Sequence, residues 1–233
     1  LRHRWLEEEN MRVIAMTLLC ACVVASATPA AAQAARLQVV HDGDTLDGTC
    51  VLVHVDGRDT GPRLYFITSG RLFKTAKGDP LPPPRAVRIT LEDGRTIAVP
   101  REGVVLPLGS LVDIAILRAD VPAAALVPAR LTVDAPRAGS VFQIAGYGYD
   151  GAPASVDEHV RFVSTRLVVG DRETSQLGGC VGAPAFAAAS MFGIVSECEA
   201  GRAPVITVLS SAYPLIARTI PGLRVQPTLR NEP

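Results

Sequence analysis

"LGGCVGAPAF" (177–186) sets glycines at 178, 179 and 182 and a proline at 184, the makings of a tight loop that holds one side chain out for chemistry. Directly before Gly182 the chain carries Val181. Its hydrocarbon branch can neither attack a carbonyl nor be activated by a base. Cys180 stands directly beside it.

On either side of this loop the sequence has the period of strands. "TCVLVHV" (49–55), "RLYFITSG" (63–70), "AVRITLEDGRTIAVP" (86–100), "LVDIAILRA" (111–119), "SVFQIAGYGY" (140–149) and "HVRFVSTRLVV" (159–169) are rich in Val, Ile, Phe, Tyr and Thr and are bounded by Gly, Pro or Asp. Five Asp-Gly pairs, starting at 42, 47, 56, 93 and 150, supply turn chemistry. "KGDPLPPPR" (77–85) reads as an exposed loop, because proline cannot donate to a ladder. Many short, evenly spaced strands predict an all-β barrel or sandwich. "SAYPLIARTI" (211–220) reads as a short C-terminal helix and 222–233 as a tail.

"FITSGRLF" (66–73), "DIAILRAD" (113–120), "VFQIAGYG" (141–148), "GGCVGAPAF" (178–186) and "FGIVSEC" (192–198) follow one another in the order and approximate spacing of the trypsin-like serine proteases. The chain resembles that family over about 45–220. The resemblance implies two packed six-stranded antiparallel barrels, expected over 37–221, with a cleft between them. It also implies where a catalytic triad would lie. Thr68, Ser69 and Gly70 match the residues before the family's histidine, so Arg71 takes the histidine's place. Asp113 matches the aspartate, and Val181 takes the place of the serine in an oxyanion loop formed by Gly179, Cys180 and Val181.

Arginine stays protonated at neutral pH and cannot be a general base. With base and nucleophile both replaced, no catalytic residue is intact, and only residual rates from binding and the oxyanion site are expected. The chain's His3, His41, His54 and His159 do not follow "FITSG" and are read as surface or turn residues. Cys180 is a rival nucleophile one position early, but no histidine nearby would take its proton. The expected function is therefore a protease homologue that binds or regulates a protein or peptide partner. The alternative is an active secreted serine-type endopeptidase or hydrolase with an unconventional site.

The resemblance also runs the loop beside the strand carrying "GIVSEC", which makes Cys180 and Cys198 the expected disulfide, with a pairing of Cys50 to either left open. His41, Asp42 and Asp44 could be drawn as metal ligands, yet Asp-Gly turns produce such clusters routinely, so no metal is expected. The glycines lack the Lys and Ser/Thr of a phosphate-binding loop, and no cofactor is expected.

From Met11, one Arg, an apolar run and small residues ending near Ala32 or Ala34 read as a signal peptide over 11–34, with 1–10 an over-extended start. The run is too short and interrupted for a stable membrane span. An exported, periplasmic or extracellular monomer is expected, where disulfides persist. Across 233 residues, Lys plus Arg and Asp plus Glu each total 23, so no basic field attracts nucleic acid.

Overall fold

Two alternating strand patterns, one in each half of the chain, curl into two antiparallel sheets in the computed structural model. It describes residues 34–57, 61–75, 78–106, 112–121, 126–171, 177–199 and 201–226. Residues 1–10, nearly all of the expected signal and the end of the expected tail lie outside the described residues. The first sheet contains β1 (Ala34–Val40), β2 (Thr45–Asp56), β3 (Arg63–Thr68), β4 (Ala86–Thr90), β5 (Thr96–Val99), β6 (Val104–Val105) and β7 (Ala115–Asp120). Their order is β5-β4-β1-β2-β3-β7-β6.

The second sheet contains β8 (Leu131–Thr132), β9 (Val141–Tyr147), β10 (Pro153–His159), β11 (Phe162–Val163), β12 (Leu167–Val169), β13 (Pro184–Ala187), β14 (Ser190–Glu197), β15 (Val205–Val208) and β16 (Val225–Gln226). Its main path is β10-β9-β13-β14-β15-β12-β11, with β8 running parallel to both β14 and β16. The two-residue strands β6, β8, β11 and β16 bring the counts to seven and nine where two sets of six are expected. Among the described residues one α-helix forms, α1 (Leu209–Thr219), which buries Leu209, Ala212 and Ile216.

Each sheet wraps its own core. Leu37, Val39, Leu52, Leu64, Phe66 and Leu117 fill the first. Phe142, Ile144, Phe192, Val195 and Ile206 fill the second, with the Phe142 and Phe192 rings packed edge to face at 5.6 Å. A third cluster joins the sheets, setting Val51, Tyr65, Ile67 and Ile116 against Phe186, Met191, Ile194 and α1. That is why "CVLV" in β2 and "LYFI" in β3 run without a charged or strongly polar residue: both faces of those strands are buried.

Two local expectations change. The run 159–169 is not one strand, because the Ser164 hydroxyl accepts from the backbone N–H groups of Arg166 and Leu167 and turns the chain between β11 and β12. The Asp47-Gly48 pair is not a turn either; it lies inside β2. A Cβ on Gly48 would sit 2.7 Å from Leu72 Cδ1 and 2.8 Å from the Val181 carbonyl oxygen, so glycine serves close packing here. Asp93-Gly94 does form the expected turn, at φ +81° between β4 and β5. Among the described residues, no helix is long and apolar enough to cross a membrane.

Candidate functional site

β3 ends at Thr68 and runs into a 3-10 turn, Gly70–Phe73, that carries Arg71 into the region between the sheets. Ser69 caps this turn: its hydroxyl accepts from the Arg71 backbone N–H at 3.1 Å and donates to Asp113 Oδ2 at 2.5 Å. A Cβ on Gly70 would lie 3.0 Å from Asp113 Oδ1, so the glycine is what lets the carboxylate come this close. Burial pushes the Asp113 carboxyl above its ordinary range, opposed by the Ser69 hydrogen bond and by the charges of Lys74 and Arg71.

A bidentate Arg71–Asp113 ion pair is the simplest expectation for two residues in these places. It does not form. Arg71 Nη2 instead donates to Glu197 Oε1 at the end of β14, 126 residues further along the chain. Pairing with Asp113 would draw the guanidinium into the interior at a large desolvation cost, whereas Ser69 satisfies Asp113 with a neutral donor. The Arg71 and Glu197 side chains keep 51% and 38% of their surface exposed, so the pair stays hydrated while bridging the two sheets.

On the other side of the cleft, residues 177–183 form the loop. Gly182, at φ +87°, occupies the third position of a turn closed by the Ala183 N–H donating to the Cys180 carbonyl at 3.0 Å. A Cβ there would collide with the Thr49 carbonyl oxygen and Thr68 Oγ1, so the glycine is required twice over. Thr49 donates its backbone N–H to the Val181 carbonyl and its hydroxyl to the Gly179 carbonyl, each at 2.9 Å. The Thr68 hydroxyl donates to the Thr49 carbonyl at 2.7 Å. Val181 packs its side chain against the core of the first sheet.

The Cys180–Cys198 disulfide is present, with Cα atoms 6.0 Å apart, and staples the loop to the residue after Glu197. A bonded sulfur removes Cys180 from contention as a nucleophile. Cys50 is free and buried, and burial pushes its thiol pKa up, away from a reactive thiolate.

Each histidine among the described residues has a neighbour of its own. His41 Nε2 is 3.2 Å from the Leu72 carbonyl oxygen, the His54 ring packs beside Tyr65, and His159 Nδ1 lies 3.7 Å from Asp171 Oδ2. In the sequence-drawn metal cluster, the His41 N–H donates to the Asp44 carbonyl, and Asp42 pairs with Arg85. Ser196, before Glu197, shares its hydroxyl with Thr207 at 2.8 Å. Sequence reading singled out Arg71, Asp113, Val181 and both disulfide cysteines. It missed the partners Ser69 and Glu197, and it missed Thr49.

Two curled antiparallel sheets facing each other across a cleft, with Arg71 and Asp113 on one wall and the 177–183 loop on the other, decide the architecture. The fold is that of the trypsin-like serine proteases. A solved scabies mite inactivated protease paralogue, S-I1, matches with a TM-score of 0.61 and 18% identity over 82% of this chain and 96% of that one. A serine endoprotease from Yersinia pestis matches at 0.62 with 15% identity over 82% of this chain, and the HtrA-type protease AlgW with tripeptide at 0.58 with 18% identity over 82%. This chain spans 64% and 60% of those two chains, less than two thirds of each. No protein-family model matches the chain, and no curated protein matches it in sequence. Within the trypsin-like fold, this chain sets the Arg71 guanidinium, the Asp113 carboxylate and the Val181 hydrocarbon around the meeting of the two sheets.

Proposed function

We propose that the protein is an exported binding or regulatory module with the trypsin-like fold and no peptidase turnover. One observation carries this reading: Arg71, which the resemblance sets in the general base's place, is paired with Glu197, while Val181 is set in the nucleophile's place. In a triad, base and nucleophile act as a unit, so their joint replacement removes acyl transfer as such. The stapled loop and the cleft around it remain as a rigid surface for a protein or peptide. A likeness to a structure described as an inactivated protease paralogue is consistent with this use of the fold.

Treating the purified protein with a fluorophosphonate probe and with casein tests the reading. Neither covalent labelling nor cleavage is expected. Labelling or cleavage that persists through stringent purification and tracks the protein would restore the peptidase alternative.

Export rests on the signal-like stretch 11–34, and the disulfide is compatible with it. β1 begins at Ala34, whose carbonyl accepts from the Tyr147 hydroxyl at 3.0 Å. Cleavage after Ala32 leaves β1 whole, whereas cleavage after Ala34 removes that acceptor. N-terminal sequencing of the exported protein should find Gln33 first, and retention of Met11 would count against export by this route.

A further inference from the structure

We propose that a recess beside the end strand β6, walled by the proline run 82–84, binds a small apolar monocarboxylate, its ring or alkyl body in the recess and its charge on Arg101. The recess shares no lining residue with the 177–183 loop or with the Arg71–Glu197 pair, so the inference stands apart from the reading of the cleft.

The sequence builds the walls in advance of any ligand. The Leu81 N–H donates to the Phe73 carbonyl at 2.9 Å and the Arg85 N–H to the Val40 carbonyl at 2.8 Å, so the proline run is pinned at both ends. Between those bonds Pro82, Pro83 and Pro84 each have φ fixed by the ring, and the run holds one shape. Phe73, 1% exposed, closes the bottom, and Val104 of β6 and Leu106 complete the hydrocarbon lining with Leu81. The cavity measures about 170 Å³. An apolar cavity of about 150 Å³ holds a benzene ring, so this one admits a body of about seven carbons. A peptide chain is too large for it.

Arg101 is the charged residue of the lining. It begins a 3-10 turn, Arg101–Gly103, in which the Gly103 N–H donates to the Pro100 carbonyl at 2.8 Å. A Cβ on Gly103 would lie 2.2 Å from the Arg118 carbonyl oxygen, so this turn is seated directly on β7 and the place of Arg101 is set by packing. The Arg101 side chain is exposed and, among the described residues, has no hydrogen-bond or ion-pair partner. Its five donors remain available to a ligand.

The chemistry of the lining selects the ligand. Proline has no N–H, the Leu81 N–H is engaged by Phe73, and the Val104 N–H donates to the Arg101 carbonyl, so the walls have little to offer a polar uncharged group. An inorganic anion would leave the hydrocarbon wet, and a neutral hydrocarbon would leave the guanidinium without a partner. A monocarboxylate on an apolar body satisfies both, because the planar fork of Arg101 takes a carboxylate through two parallel hydrogen bonds. The neighbouring charges are Lys74, Arg101 and Arg118 against Asp79 and Glu102; Arg118 Nη2 donates to the Glu102 carbonyl at 3.2 Å, which brings a second cation to the Arg101 turn. The balance favours one negative charge. Because the walls are already held, little ordering opposes binding.

The test titrates the full protein into 4-fluorobenzoate and reads the width of the fluorine NMR line, with benzoate, benzamide and acetate as competitors. Benzoate is expected to bind with a Kd of about 1 mM or tighter, at least about tenfold more tightly than benzamide, which lacks the charge, or acetate, which lacks the body. Arg101→Gln should erase the advantage of benzoate over benzamide. Leu81→Ser, which thins the wall and spares the cation, should weaken both by a similar factor. Arg95→Gln, a surface arginine paired within its own turn, should change neither. Circular dichroism on each variant verifies the fold. Absence of displaceable broadening up to about 10 mM overturns the site, as does equal binding of benzoate and benzamide. An advantage that survives Arg101→Gln overturns the role of Arg101, and displacement by acetate as effective as that by benzoate overturns the recess as the seat of the body. Fluorophosphonate labelling bears on turnover alone.

Discussion

Arg71 and Glu197 meet across the cleft, one at the turn after β3 and the other at the end of β14, and theirs is a side-chain ion pair between the two sheets. Because both side chains remain substantially exposed, the pair organises the cleft more than it stabilises the fold. Arg71→Ala or Glu197→Ala should each cost about 0–1 kcal/mol in urea unfolding, shrinking further at high salt. A loss of several kcal/mol would mean that the pair is buried after all.

Asp113 gives the stability a pH dependence with a defined sign. Its folded pKa is raised, so its contribution favours the fold at low pH and is lost as pH climbs from the ordinary Asp value of about 4 through the folded pKa. Asp113→Asn should therefore gain on the wild type over that interval, in urea midpoints measured from about pH 3 to 7. A difference that stays flat or favours the wild type increasingly would contradict the assignment. Ser69→Ala, which strips the carboxylate of its donor, should cost about 1–3 kcal/mol at neutral pH.

Glycine 182 is the position least able to accept a side chain. Gly182→Ala meets both a positive φ and immovable backbone at Thr49, and should destabilise by about 3–5 kcal/mol. Gly43→Ala has the same backbone strain with nothing within 4 Å, and should cost about 1–2 kcal/mol. Equal losses at the two sites, measured by thermal unfolding, would refute the packing argument.

Thiol chemistry distinguishes the three cysteines of the described chain. Non-reducing peptide mapping should recover Cys180 linked to Cys198, and removing that link should cost about 3 kcal/mol on the chain-entropy account. Cys50 should react with a thiol reagent only after denaturation. Fast labelling of Cys50 in the native protein would show that β2 opens where it is drawn closed.

Installing a histidine and a serine at the two positions the resemblance marks should not make an enzyme. In Arg71→His with Val181→Ser, the new imidazole needs Asp113 to orient it, yet Asp113 is held by Ser69, and Glu197 draws the ring the other way. Peptide turnover should remain at least ~10³-fold below a typical kcat of ~10 s⁻¹. Adding Ser69→Ala should raise it. Full activity in the double variant would mean that only two side chains separate this site from a working one.

The loop 177–183 was legible in the sequence because glycine and proline at fixed offsets leave a turn few alternatives, and the family resemblance singled out Val181 and, upstream, Arg71. The partners were not legible. Glu197 reaches Arg71 from 126 residues away, and a serine before a glycine gives no sign that its hydroxyl will intercept Asp113. Gly48 misled for a chemical reason: an Asp-Gly pair looks the same whether the glycine is wanted for its backbone freedom or for its missing Cβ, and only the approach of Leu72 and Val181 separates the two. Strand positions were easier than strand ends, as at Ser164, where one hydroxyl divides an apolar run.

Thr49 has a mechanical consequence. Its N–H and hydroxyl hold the second sheet's loop by two carbonyls while its own carbonyl is held by Thr68, so one residue of β2 acts as a rivet through both halves. Halves riveted at the cleft cannot swing apart as a hinge, and amide hydrogens on β2 and β14 should exchange together, at the rate of global opening. A partner gripping this cleft would pull on one rigid body, and any force or signal it delivers would reach β10 and β5, end strands of the two sheets, without a joint to absorb it.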